Sequence, residues 1–370
     1  MSLHSKKPRA RDLMIPFEGE TGPYNAITDV PGVEVGYATI IEGSGPLVQG
    51  GGPVRTGVTA ILPFGRTKQL KPAWAGFHAL NGNGEVTGVH WIRHAGHFFG
   101  PLCITNTHAV GAVHQGVTSW MIDHYAEEFS RKHIWAMPVV GETYDGVLND
   151  INGMHVRAEH ARQAIETATG GAIAEGNVGG GTGMIAYEYK GGTGTASRTI
   201  RLGGEKYTVG VLVQANHGIR EWFTVLGVPV GREDMTNKLL PREQGSVIVA
   251  IATDIPMLPH QLERVAQRGS IGIGRNGTPG GNNSGDMFVA FSTANRVTRD
   301  VYIEETREVR SLPDDWFDDI YLAVVLAIEE AIVNAMLAAQ DTETLKPAGK
   351  TCRALDGAVL VDILRRYGRM

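Results

Sequence analysis

The run Asn283-Ser284-Gly285-Asp286 carries the most specific chemistry in the chain. It closes a glycine-rich stretch, read as a loop, in IGIGRNGTPGGNNSGDMFVAFSTAN (271–295), and stands where an apolar strand begins. A serine at that junction can attack the carbonyl of the residue before it, turning the Asn283–Ser284 amide into an ester that water opens. Such a shift needs a strained, accessible peptide bond, and glycine lets the surrounding structure hold backbone in unusual conformations. The product would begin at Ser284. Its α-amine, with a reference pKa of about 7.7–8, is partly neutral near pH 7 and can act as base for the same residue's hydroxyl. A plain glycine-rich turn feeding a core strand is the competing reading.

Other constellations fit their chemistry less well. The loop before Ser284 lacks the lysine of a phosphate-binding P-loop and leads into a strand, whereas a P-loop must open a helix. A nucleophile elbow would require glycine where Asn282 and Asp286 stand. His90, His94 and His97 are spaced HxxxHxxH but have no flanking carboxylate, so packing or surface roles are expected and no metal is assigned. GNVGGGTGM (176–184) lacks the strand–GxGxxG–helix setting of a dinucleotide fingerprint. Asp254 and His260 read as a strand-end carboxylate and the opening of a helix. No cofactor is expected.

These residues need a scaffold, and the apolar pattern outlines one. Short β-branched runs predict strands at Gly57–Pro63, Cys103–His108, Ala136–Val140, Tyr207–Ala215, Ser246–Thr253 and Asp286–Ser292. Helical periodicity covers 111–131, 158–168, 259–268 and, most clearly, 314–340. Strands apolar on both faces need cover on both sides, so stacked sheets enclosed by helix layers are expected, in one α/β-layered domain spanning 1–370. Segments 232–244 and 296–312 read as surface loops or hairpin tips.

Composition narrows the function classes. The chain has 370 residues, 42% hydrophobic and 20% charged, as in soluble globular proteins. Its 34 Lys+Arg against 39 Asp+Glu leave −5, without the basic excess of a nucleic-acid binder. Cys103 and Cys352 are the 2 cysteines, too few for a disulfide framework, and a reducing compartment is the natural reading. The basic N-terminus is not followed by an apolar core, and no stretch is expected to supply the ~18 apolar residues of a membrane span. A cytoplasmic protein without a membrane partner is expected. Glycine, 49 residues, is about twice its usual share and points to many turns and close backbone approaches.

Over nearly its full length the sequence resembles the self-processing serine aminopeptidases of the L-aminopeptidase D-amidase/D-esterase family, which includes the β-peptidyl aminopeptidases. The segments that carry the resemblance include GPYNAITDVPGVEVGYATI (22–40), ITNTHAVG (104–111), PVVGETYDGVLNDING (138–153), VGVLVQANHG (209–218), IATDIPMLPHQLERVAQR (251–268) and NNSGDMFVAFSTAN (282–295). The resemblance implies an αββα sandwich similar to N-terminal-nucleophile hydrolases but differently connected. It also implies cleavage into 1–283 and 284–370, chains that stay associated, and a homo-oligomer. On its pattern Ser284 is the nucleophile and Asn216 an oxyanion donor. The same pattern implies that Tyr144 hydrogen-bonds near the reacting carbonyl and that Glu142 holds the substrate's free ammonium. One departure concerns a downstream Ser-x-Glu, whose nearest counterpart is Pro313-Asp314-Asp315; the serine is absent, and Asp315 could still orient the new amine.

The leading function is therefore removal of an N-terminal residue from a short peptide, amide or ester with a free amine. A self-processing acyltransferase similar to the ornithine acetyltransferases is a second reading, disfavoured because those use threonine. An uncleaved, non-enzymatic binding protein is the third.

Overall fold

Strands buried on both faces must be covered twice, and the chain achieves this by stacking two sheets between two helical layers. The computed structural model describes residues 7–236, 238–240, 242–295 and 308–370. The first part of the chain forms β1 (Glu34–Glu42), β2 (Val54–Leu62), β3 (Pro72–Ala79), α1 (Val89–Ala95), β4 (His97–Phe99), β5 (Leu102–Asn106), α2 (Val110–His124), α3 (Ala126–Arg131), β6 (Val139–Thr143) and α4 (Ala158–Glu166). Next come β7 (Ile185–Ala186), β8 (Tyr189–Lys190), β9 (Gly192–Leu202), β10 (Glu205–Asn216), α5 (Val230–Glu233), β11 (Ser246–Thr253) and α6 (Pro259–Arg275). The last are β12 (Gly285–Ser292), α7 (Phe317–Ala338), β13 (Thr342–Leu345), β14 (Ala348–Cys352) and α8 (Gly357–Arg366).

One sheet runs β1-β2-β5-β6 and the other β4-β3-β12-β11-β10-β9. Three apolar cores correspond to the three interfaces of an αββα sandwich. Ile104 and Val139 meet Leu212, Ile248, Val289 and Phe291 between the sheets. Val211, Val249 and Phe288 pack on Leu262, Val324, Ile328 and Ile332 of α6 and α7. Val58, Cys103 and Val140 pack on Val113, Val117, Ala161 and Ile165 of α2 and α4. The segment Asp314–Ala338 is long and apolar enough to suit a bilayer, contrary to the sequence reading, but 89% of its most apolar window is buried inside the molecule.

The structure differs from the sequence expectations where glycine misleads. The helix expected to stop at 268 runs on to Arg275, so the glycine-rich loop begins only at Asn276. Gly269 and Gly272 are helical because Phe288 and Ile328 press against them, leaving no room for a Cβ. Strand β9, GTGTASRTIRL, lacks a β-branched apolar run and was not foreseen, yet pairs with β10 along its whole length. Strand β6 starts three residues later than its apolar run. The described residues of segment 232–244 are mostly exposed, as expected of a surface loop, but the segment tucks inward at Leu239 and Glu243. Of 296–312, residues 296–307 lie outside the described residues.

Candidate active site

Sheet register gathers Ser284, Asn216, Tyr144 and Glu142 at one end of the sandwich. Asn216, the last residue of β10, lies opposite Ser246, and Ser246 opposite Gly285 at the start of β12. Neighbouring strands are about 4.8 Å apart, so Asn216 and Gly285 stand roughly 10 Å from one another. In the facing sheet Glu142 is the penultimate residue of β6, and Tyr144 follows the strand. A Cβ built on Gly84 would be 3.2 Å from Glu142 Oε1 and 3.5 Å from Gly285 Cα, so about one methyl group separates the carboxylate from the strand start.

Asn283 is exposed, and Ser284 after it is fully buried. The Ser284 hydroxyl donates to Asp286 Oδ1 at 2.6 Å. Two residues apart at a strand start, the side chains share a face, and Phe288 in the same alternation packs toward α6 and α7. Burial pushes the Asp286 carboxyl up, opposed by the Ser284 hydroxyl, the Val247 N–H and the Asn81 amide. A carboxylate of raised pKa on the nucleophile's own hydroxyl is a stronger proton acceptor than an ordinary one. Asp286 was not assigned a role from the sequence, although the Ser-x-Asp spacing carried the signal. The backbone is left-handed at Gly277 and Gly280, which glycine adopts without penalty, and not at Asn283 or Ser284, so the strain expected at their peptide bond is not found in their φ.

A strap formed by residues 80–85 crosses this junction. Leu80 N donates to Asp286 O (2.9 Å), and Asn81 Nδ2 to Gly281 O (3.0 Å). Asn83 Nδ2 donates to Asn283 O (2.7 Å), and Glu85 N to Glu142 Oε1 (2.9 Å). From below, Gly285 N donates to Ser246 Oγ (3.2 Å). Glu243 also reaches the loop: its Oε1 accepts from Gly218 N at 2.7 Å and its Oε2 abuts Gly281. Burial pushes the Glu243 carboxyl up, the Gly218 N–H opposes this, and the neighbouring Asp286 adds to it.

Glu142 is buried, with Oε2 accepting from the Thr107 hydroxyl. Burial pushes its carboxyl up; the Thr107 hydroxyl and Glu85 N–H oppose this. Each oxygen has spare acceptor capacity, which suits a buried ammonium. Asn216 has its Oδ1 on Ile185 N (2.8 Å) and one N–H on Tyr144 O (3.0 Å), leaving a second N–H. Leu212 alternates with Asn216 and packs between the sheets, so Asn216 faces the opposite side of the sheet from Asp286. Tyr144 and Asn216 line a narrow cavity of about 20 Å³ with Val147, Ile185, His217 and Leu240. Burial pushes the Tyr144 phenol up, which keeps it a neutral donor. His217, pushed down to about 3 by burial, is a neutral ring against Tyr187.

Asp315 is not brought to Ser284. It lies in the turn Asp314–Trp316, where Trp316 packs on Gly203 of the β9–β10 turn and Asp314 accepts from Arg264. That turn is at the Ser292 end of the sheet, a strand's length or roughly 23 Å from Ser284. The reason is directional: β12 leads away from the site, so the residues soon after it emerge at the far end. Asp254 at the end of β11 accepts from Thr208 N (2.7 Å) and His260 opens α6, both as expected. His94 and His97 pack around Trp91. GNVGGGTGM forms a buried turn over Gly179–Gly183 between the sheets, where a Cβ on Gly180 would lie 2.1 Å from Gln214 Oε1.

Comparison with known proteins decides the family. The model of peptidase family S58 matches residues 25–349. The chain belongs to peptidase family S58. It is 49% identical to the β-peptidyl aminopeptidase BapA of Sphingosinicella microcystinivorans, over 98% of this chain and 93% of that protein. The L-aminopeptidase D-Ala-esterase/amidase of Ochrobactrum anthropi, whose structure is described as a new variant among the Ntn hydrolase fold, superposes with a TM-score of 0.93 at 52% identity. That match covers 98% of this chain and 99% of the other. A β-aminopeptidase of Burkholderia sp. gives 0.88 at 45% identity, covering 98% and 99%. This S58 member is therefore a hydrolase acting on peptide bonds, with an αββα architecture of the Ntn-hydrolase type.

Proposed function

We propose that the chain cuts itself between Asn283 and Ser284 and then works as an aminopeptidase or amidase with Ser284 as N-terminal nucleophile. The observation that carries this is the Ser284 hydroxyl donating to Asp286 Oδ1 directly beside the Asn283 carbonyl. Asp286 takes the hydroxyl proton while Oγ attacks the Asn283 carbonyl carbon. The C–N bond breaks, the departing Ser284 nitrogen takes up the proton, and an ester remains. Water opens the ester, leaving an Asn283 carboxylate and a Ser284 free amine.

In turnover the α-amine accepts the Ser284 hydroxyl proton as Oγ attacks the substrate carbonyl. Glu142 anchors the substrate's ammonium, and Asn216 with Tyr144 donates to the developing oxyanion. The α-ammonium returns its proton to the leaving amine, and water then releases the acyl group. Because the Ser284 hydroxyl and Asn216 face opposite sides of the sheet before cleavage, the new terminus has to turn toward the inter-sheet side. The names of the relatives support short peptides, amides or esters with a free amine as substrates, rather than acyl transfer.

The test is intact mass and N-terminal sequencing of the purified protein. Chains 1–283 and 284–370 are expected, the smaller beginning Ser-Gly-Asp-Met. Ser284→Ala should stay one inactive chain. A wild-type chain that is active yet uncut overturns the mechanism. We further propose a homo-oligomer, supported by exposed apolar side chains such as Ile122 and Trp135 and tested by analytical ultracentrifugation. A cytoplasmic location is proposed alongside, supported by two buried free cysteines and tested by cell fractionation.

A further inference from the structure

We infer that Asn83 is the oxyanion donor for self-cleavage, so that maturation and turnover use different amides. This rests on the self-cleavage reading. When Ser284 Oγ attacks the Asn283 carbonyl carbon, negative charge develops on Asn283 O. One side-chain donor already meets that oxygen: Asn83 Nδ2, at 2.7 Å. The oxyanion role in turnover falls to Asn216, whose side chain leaves the other face of the sheet and already holds Tyr144 O and Ile185 N.

Asn83 is also held in place before the reaction. Leu80 N on Asp286 O, Asn81 Nδ2 on Gly281 O and Glu85 N on Glu142 Oε1 fix the strap on both sides of it. Its own carbonyl lies against Gly285, 2.3 Å from where a Cβ would stand. A donor positioned in advance lowers the barrier without reorganising as charge appears. The step balances: the Ser284 proton goes to Asp286, the C–O bond forms, and Asn83 N–H stabilises the alkoxide. The alkoxide then collapses, the C–N bond breaks, and Asp286 returns the proton to the Ser284 nitrogen. Once the Asn283 carboxylate withdraws, the Asn83 amide has completed its part.

Because Asn83 is exposed, water competes for the oxyanion. The effect should fall below the roughly 10²–10³ of a fully enclosed donor. The experiment follows full-length chain made by pulse-labelled cell-free translation into its two products by gel and intact mass, with melting curves as a folding control. Asn83→Ala should slow maturation about ten- to a hundredfold. Asn83→Asp keeps the shape but puts an acceptor, charged when ionised, on the oxyanion, so it should be slower still. A merely structural contact would show in the melting curves, with maturation falling in step with lost stability, whereas an oxyanion donor slows maturation while the melting temperature holds. Asn83→Ala maturing within threefold of wild type, or Asn83→Asp maturing faster than Asn83→Ala, overturns the assignment while leaving self-cleavage standing. If the alanine chain fails to fold, Asn83→Asp maturing within threefold of wild type does the same. A wild-type chain that never divides overturns self-cleavage itself, and this inference with it.

Discussion

Replacing Glu142 by glutamine isolates the charge that holds the substrate. In the free protein Glu142 Oε1 accepts from Glu85 N at 2.9 Å and Oε2 from the Thr107 hydroxyl. Glutamine can keep both contacts, its carbonyl on Glu85 N–H and its amide N–H on a Thr107 hydroxyl turned to accept. The local contacts are then preserved while the negative charge is lost. A charge-assisted hydrogen bond is worth about 1.5–3 kcal/mol, and tenfold corresponds to about 1.4 kcal/mol, so kcat/KM for a free-amine substrate should fall about ten- to a hundredfold. The assay compares an amino-acid p-nitroanilide with its N-acetyl form on both enzymes. Wild type should prefer the free amine by that factor, and Glu142→Gln should narrow the gap by losing activity on the free amine. A pH profile adds an independent check. Burial pushes the Glu142 carboxyl above the usual range, and only its ionised form anchors an ammonium. Activity on the free amine should therefore drop as pH falls through that raised value, and this limb should be missing in Glu142→Gln. Equal rates of wild type on the two substrates would refute the anchor, and so would a variant that keeps the full preference.

Three further outcomes follow from the geometry. Asn216→Ala should lower turnover about 10²–10³-fold, the usual effect of removing an oxyanion donor; activity within threefold of wild type would remove Asn216 from the chemistry. Gly194→Ala should cost at least about 1–3 kcal/mol by overpacking, since its Cβ would lie 2.0 Å from Ala331 O and force α7 off β9. The readout is the denaturant midpoint at constant slope, and an unshifted midpoint would contradict that packing. Glu330→Ala should destabilise by about 3–5 kcal/mol, because Arg198, paired with it at 2.7 Å and buried, is left without its carboxylate. A midpoint shift equivalent to less than about 1 kcal/mol would mean that water or another group compensates the guanidinium.

Local pattern was enough for part of this protein. Apolar runs on both faces of β10, β11 and β12 require cover on each side, which dictates stacked sheets between helices. Ser284 and Asp286 share a face because strand side chains alternate, so the hydroxyl–carboxylate contact was already written in Ser-x-Asp spacing. The resemblance supplied Asn216, Tyr144 and Glu142, and sheet register brings them to the same end of the sandwich. Glycine was read less well, because the same residue serves a loop and a close packing contact. Gly269 and Gly272 looked like the start of a loop and are helical against Phe288 and Ile328. Asn83 lies 200 residues from the carbonyl it holds, and nothing in NGNGE marks it. Asp315 follows Ser284 by a short stretch of sequence, yet β12 carries the chain away and leaves it at the opposite end of the sheet. Spacing along the chain settles what neighbours on one strand or helix can do. Which distant segment crosses the Asn283–Ser284 bond depends on how the layers pack, and that was decided only by the fold.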